Sequence, residues 1–178
     1  HMARPQAQDL LARAFDDFAE LRGDGKVGTD PCVVGGLARL GSWRCVVVGT
    51  AKGHTPGDMQ AANFGMPSPA GYRTALRLFG LAERFRLPVV TLVDTVGAWP
   101  SFAAEGAGQS EAIATNLSAM AALRTPIVTV VIGEGGSGGA LGLAMGNAIG
   151  MLSQAYYGVI SPEGAASILG KYANMGEA

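Results

Sequence analysis

Charge is scarce in this chain: 15% of its 178 residues are Asp, Glu, Lys or Arg, and 13 basic against 14 acidic side chains leave a formal net charge of -1. With no basic excess, a main role in tracking nucleic-acid phosphates or holding an acidic membrane surface is excluded. Long apolar runs are missing too, although 48% of the residues are hydrophobic and the mean hydropathy is +0.25. Each run is broken by glycine, proline or charge well short of the roughly 20 residues that span a bilayer, and no signal peptide is read. Such surplus apolar surface with so little charge is expected to be hidden in a subunit interface.

Cysteine is limited to Cys32 and Cys45, both in short strand-like runs and without neighbours that would complete a metal site. Buried reduced thiols, a reducing compartment and no metal in this chain are the expectation. Histidine is nearly absent. His1-Met2 reads as a tag remnant, which leaves His54 alone, and nothing after it.

What the chain does have is glycine, 27 in all, and a regular alternation of elements. Residues 8–21 carry Leu10, Leu11, Phe15, Phe18 and Leu21 at helical spacing, with Gly23 as a stop. "CVVGGLARL" and "RCVVVGT" read as a hairpin through Gly41-Ser42-Trp43. Residues 51–69 show no clean period and read as a long loop, of a length that is commonly functional. The second half then alternates. A helix over 71–86 turns Leu76, Phe79, Leu81 and Phe85 inward; strand 87–94, helix 108–123, strand 125–133, helix 137–148, strand 156–161 and helix 162–172 follow. Unbroken apolar strands separated by helices predict a single α/β domain over 3–178 with a mostly parallel sheet covered on both faces.

The glycines concentrate in "VVIGEGGSGGALGLAMGN", residues 131–148. Gly133, Gly135 and Gly138 spell a dinucleotide fingerprint, but no Asp or Glu occurs between Glu134 and Glu163 to hold a ribose. Gly135, Ser137 and Gly139 spell a nucleophile elbow, but no histidine follows Ser137 to act as its base. Ser137 is then expected to cap the helix. A third reading uses no side chain: the free N–H groups of consecutive glycines at a helix start form an oxyanion hole. Against it stands plain close packing of helix on sheet, and the pattern alone leaves both open.

"NFGMPSPAGYRTALRL" (63–78), "VDTVGAWP" (93–100), "GQSEAIATNL" (108–117), "VIGEGGSGGAL" (131–141) and "VISPEGAASIL" (159–169) together resemble the alpha subunit of the acetyl-CoA carboxylase carboxyltransferase, in that family's order and spacing. The resemblance implies a crotonase-like fold, a superhelix of repeated β-β-α turns with a mostly parallel sheet. It implies transfer of a carboxyl group from carboxybiotin, borne on a biotin carboxyl carrier protein, to acetyl-CoA, giving malonyl-CoA for fatty acid biosynthesis. The partner would be a carboxyltransferase beta subunit in a hetero-oligomer of the alpha2beta2 type, in a cytoplasm or plastid stroma, with the coenzyme A thioester cradled mainly by that partner. On the same resemblance, the amides of Gly138 and Gly139 are catalytic and stabilise the ureido oxygen of biotin. Gly135, Gly136, Lys52, Gly97, Ala98 and Trp99 line the substrate site.

The chain departs from the family pattern in two places. After Lys52-Gly53 the family is basic, whereas residues 54–62 here read HTPGDMQAA. In residues 93–100, Val96 and Trp99 stand where the family has proline and tyrosine; Trp99 reads either as an apolar wall beside biotin or as packing. The family's N-terminal extension and C-terminal region are not matched. The depleted loop leaves two other functions in view: a biotin-independent crotonase-like decarboxylase of a malonyl thioester, and a non-catalytic paralogue. Glu134 reads as orienting the glycine loop and Glu111 as a solvated helix-start residue.

Overall fold

A hairpin and a run of crossover units build the sheet. The computed structural model describes residues 4–26 and 28–169. Helix α1 (Ala7–Ala14) leads into β1 (Asp16–Glu20), β2 (Val33–Leu40) and β3 (Trp43–Thr50), which pair antiparallel. Next come α2 (Pro56–Ala61), a 3-10 turn (Asn63–Gly65), α3 (Pro69–Phe85), β4 (Val89–Thr95), α4 (Phe102–Gly106), α5 (Gln109–Ala122) and β5 (Ile127–Gly136). The described chain ends with α6 (Ser137–Ala144), β6 (Ala148–Met151), β7 (Tyr156–Gly158) and α7 (Pro162–Leu169). Strand order is β1-β2-β3-β4-β5-β6, and every pairing from β3 onward is parallel, with β7 running beside the far end of β5.

Strand alternation divides the core. Val46 and Val48 of β3 join Tyr72, Leu78, Phe79, Val93 and Leu143 on the face covered by α3, α5 and α6. Val47 and Cys45 point the other way, to Ala7 and Leu11 of α1. Each of these valine, leucine and phenylalanine side chains taken fully out of water contributes about 1.5–3 kcal/mol. Cys32 and Cys45 are both buried free thiols, and burial pushes both up from their ordinary range.

Several expectations are corrected. The helix expected over 8–21 stops at Ala14, because Asp16 and Asp17 oppose the negative end of a helix. Asp17 takes a left-handed φ of 53° and both carboxylates pair with Arg39 across the β1–β2 bulge. The expected loop 51–69 contains α2, started by a reciprocal Thr55–Asp58 capping box. On α3 the inward stripe is Tyr72, Ala75, Leu78, Phe79 and Ala82; Leu76 and Leu81 are half-buried, and Phe85 is exposed beneath the Arg84 guanidinium. Large side chains suggested a stripe displaced from the real one, in which alanines admit the sheet. The helix expected to run to 148 ends at Ala144, and Ala148 opens β6. Coverage of both sheet faces holds at β4 but fails at the edges, at β1, exposed at four of its five residues, and at β6, whose four residues are all exposed. The expected helix beyond Leu169 lies outside the described residues.

Candidate functional site

The carboxyl ends of β3, β4 and β5 meet where the chain leaves the sheet, the place at which open parallel sheets form their crevices. Lys52 follows β3, Asp94 lies near the end of β4 and Glu134 near the end of β5. The Lys52 ammonium sits between the two carboxylates, 2.9 Å from Asp94 Oδ1 and in a close ion pair with Glu134. Gln6 Oε1 accepts from the Lys52 and Gly53 amides, at 3.1 and 2.9 Å, which fixes the backbone beneath it. Burial by itself would raise the Glu134 carboxyl; the hydrogen bond and charge of Lys52 outweigh it, helped by Tyr156 and Arg4, and the carboxyl falls below its ordinary range. Burial likewise disfavours charge on Lys52, yet Glu134 and Asp94 raise its pKa. A depressed carboxylate loses its stabilising share only as pH falls through its folded pKa, and a raised ammonium only as pH rises through its own, so the pair is ionised across the neutral range.

The ladder between β4 and β5 slips here. Val93 pairs with Val131 but Thr95 pairs with Gly135, so β5 carries two extra residues over this step. Asp94 takes the space: its Oδ1 accepts the Glu134 amide at 2.8 Å, and a Cβ on Gly133 would collide with the same carboxylate. The Asp94 amide is in turn anchored at 2.7 Å on Thr50 Oγ1. Beyond the bulge, β5 passes directly into α6.

Ser137, the first residue of α6, has φ 54° and makes no capping bond, so the cap expected of it is not formed. Strand, left-handed residue and helix form an elbow, and the next two residues, Gly138 and Gly139, present amides with no acceptor one turn back in the helix. Their surroundings differ sharply. A Cβ on Gly139 would strike the Ala98 amide nitrogen and lie 2.8 Å from Gly97 Cα, whereas one on Gly138 would meet nothing within 4 Å. Close packing therefore accounts for Gly139 and also for Gly136, whose Cβ would collide with Val96 backbone, but leaves Gly138 open.

Gly97-Ala98-Trp99, expected in the site, is thereby brought against α6. Trp99 is half-buried, its amide donating to Pro67 at 3.0 Å and its carbonyl accepting from Gln109 at 3.2 Å. Tyr72 anchors α6 from below, its buried hydroxyl donating to the Gly139 carbonyl at 2.8 Å. Tyr72→Phe is expected to lower the unfolding free energy by about 1 kcal/mol, read from the urea midpoint with an unchanged m-value. His54 lies 3.3 Å from Asp9 and bonds to Gln6, so it is not placed as a base for Ser137. With Lys52, Met59, Phe64 and Glu134 it lines a cavity of about 300 Å³. Residues 54–62 reach this cavity through His54 and Met59.

Asp94, Tyr72 and Gln6 were not anticipated as parts of the site. Asp94 was legible only as the last residue of a strand, and nothing local in the sequence marks its contact with a glycine 39 positions later in the chain. Among the described residues no His, Cys, Asp or Glu grouping could hold a metal ion, and no helix is long and apolar enough to cross a membrane.

The family model for acetyl co-enzyme A carboxylase carboxyltransferase-like proteins matches residues 1–178. The acetyl-coenzyme A carboxylase carboxyl transferase subunit alpha of Bordetella pertussis is 55% identical over 174 residues, covering 98% of this chain and 54% of the relative. That of Burkholderia vietnamiensis is 56% identical over 173 residues, covering 97% and 54%. The chain thus spans about half the length of the relatives it matches. Among solved structures, transcarboxylase 12S superposes with a TM-score of 0.82 at 21% identity, over 98% of this chain and 33% of that one. The beta subunit of Pseudomonas aeruginosa geranyl-CoA carboxylase gives 0.75 at 20% identity, over 93% and 30%. These structural likenesses establish the shared crotonase-like fold.

Proposed function

The chain belongs to the acetyl co-enzyme A carboxylase carboxyltransferase-like family, and on that premise we propose that it is the alpha side of a carboxyltransferase that moves a carboxyl group from carboxybiotin to acetyl-CoA. The observation that carries the reading is the pair of amides at the start of α6, with Gly138 facing open space. The backbone is open there: Cβ positions on Gly138 and on Gly97 both meet nothing within 4 Å, which leaves room for a ring system to approach.

Carboxybiotin, delivered on a carrier protein, would supply the carboxyl group and a ureido oxygen on which negative charge develops as the bond to the carboxyl carbon breaks. The Gly138 and Gly139 N–H groups would donate to that oxygen, and the positive end of α6 adds favourable potential. Because these donors are held by the Gly97–Ala98 contact and the Tyr72 bond, little reorganisation accompanies the charge shift. No acid or base side chain is required of this chain in the transfer, which accords with His54 being engaged by Asp9 and Gln6. Gly135, Gly136, Ala98 and Trp99 would shape the approach. The acyl thioester would be held by a carboxyltransferase beta subunit, in an alpha2beta2-type assembly that a biotin carboxyl carrier protein visits. Exposed Ile149 and Met151 on β6 are the sort of surface such an assembly covers. Free, buried Cys32 and Cys45 suit a reducing cytoplasmic setting.

Reconstitution with a beta subunit and a carboxybiotinylated carrier tests the reading. Malonyl-CoA formation that depends on all three components is the expected result. Its absence, or release of carbon dioxide from malonyl-CoA without biotin, would overturn the carboxyltransferase assignment, the latter in favour of a decarboxylase that uses the same amides.

A further inference from the structure

We infer that Lys52 is a positioning residue for the amide pair: by bridging Asp94 and Glu134 it holds the two-residue bulge of β5 that aims the start of α6. The inference rests on the oxyanion reading above and concerns how that site is kept in place.

The geometry carries it. Asp94 serves the bulge directly, accepting the Glu134 amide at 2.8 Å and filling the space left by Gly133. Glu134 lies on the bulge itself, four positions before Gly138, with its carboxylate in a close ion pair with Lys52. Two carboxylates drawn onto one cation repel each other once it is gone. Lys52 is also confined along its length: a Cβ on Gly65 would collide with the lysine stem, and the lysine side chain is 18% exposed. A lysine poised to receive a substrate anion would point an unshared ammonium into the cavity; this one is taken up by two internal partners. The other charged or titratable groups facing it are Arg4 and His54 across the cavity, the buried Cys32 thiol, and Tyr156, whose hydroxyl donates to Glu134 at 3.2 Å.

The neutral variant Lys52→Met leaves Asp94 and Glu134 uncompensated, and protonation of Glu134 relieves the repulsion. In the reconstituted assembly, kcat is expected to fall by about 10²-fold near pH 8, since a displacement on the order of 1 Å costs that much, with KM for carrier and acetyl-CoA unchanged. Much of the loss should return near pH 6, and Lys52→Met/Glu134→Gln should restore kcat at both pH values. In parallel, the 15N–1H resonances of Gly135, Gly136, Gly138 and Gly139 should move in Lys52→Met and move back on acidification or in the double variant. These resonances need no activity, so a wild-type assembly that transfers nothing would sink the functional reading while the positioning role is still judged. Should Lys52→Met not fold, Lys52→Gln, equally neutral but polar, carries the test: the same four resonances shift, and kcat falls several-fold at constant KM. A rise in KM with kcat kept would make Lys52 a substrate contact and overturn the inference. A pH profile parallel to wild type, or glycine resonances that stay in place, would overturn it as well.

Discussion

Gly138→Val is expected to reduce carboxyl transfer by about 10²–10³-fold, the loss that follows removal of one oxyanion-hole donor, while leaving the fold intact. The position allows this separation. Gly138 has no left-handed φ, and a Cβ there meets nothing within 4 Å, so the isopropyl group extends into the space in front of the amides. Unfolding free energy should stay within about 0.5 kcal/mol of wild type, since valine replaces glycine at an exposed helical position. Gly138→Ala, with a single methyl in the same direction, should give a smaller loss of the same kind, because less of the approach is blocked. Steady-state kinetics of the reconstituted assembly, beside urea denaturation of each variant, would decide. Activity of Gly138→Val within about three-fold of wild type would remove the amide pair from the mechanism.

The contrast with Gly139 shows how far the sequence could be read. A glycine motif marks where backbone comes close to something, but not what approaches it. Two glycines that are adjacent and equal in the sequence differ in space because one lies against the Gly97–Ala98 peptide and the other faces outward. The parallel half of the sheet was legible, since Val-rich runs such as 127–132 have no plausible place other than a covered strand. The N-terminal segment was legible only as far as Ala14: periodic apolar residues over 8–21 suit one helix locally, yet from Asp16 β1 completes the exposed edge of β2, a tertiary pairing that overrides the local pattern. The Lys52–Asp94–Glu134 cluster joins three strand ends contributed by distant parts of the chain. Each of its members alone reads as an ordinary charged residue, and only the parallel order of β3, β4 and β5 makes them neighbours.

Gly139→Ala is the companion substitution, and here the expected loss is of the fold. The added methyl would lie on the Ala98 amide nitrogen and against the Gly97 carbonyl carbon and Cα. All of these are backbone atoms, so no rotamer change relieves the clash. Movement of α6 is resisted from the other side by the Tyr72 hydroxyl on the Gly139 carbonyl at 2.8 Å and by the Asn116 amide, which donates to the Gly142 carbonyl at 3.2 Å. Overpacking of a deformable core costs about 1–3 kcal/mol; with backbone on one side and buried hydrogen bonds on the other, a loss of about 3 kcal/mol or more is expected. Against a typical domain stability of about 5–15 kcal/mol, that should appear as a large drop in the urea midpoint or as failure to accumulate folded protein. Gly138→Ala, one residue earlier, should leave the midpoint nearly in place. The pair thus separates two functions of neighbouring glycines: if Gly139→Ala unfolds within about 1 kcal/mol of Gly138→Ala, the Gly97–Ala98 contact is not what holds the amides in place.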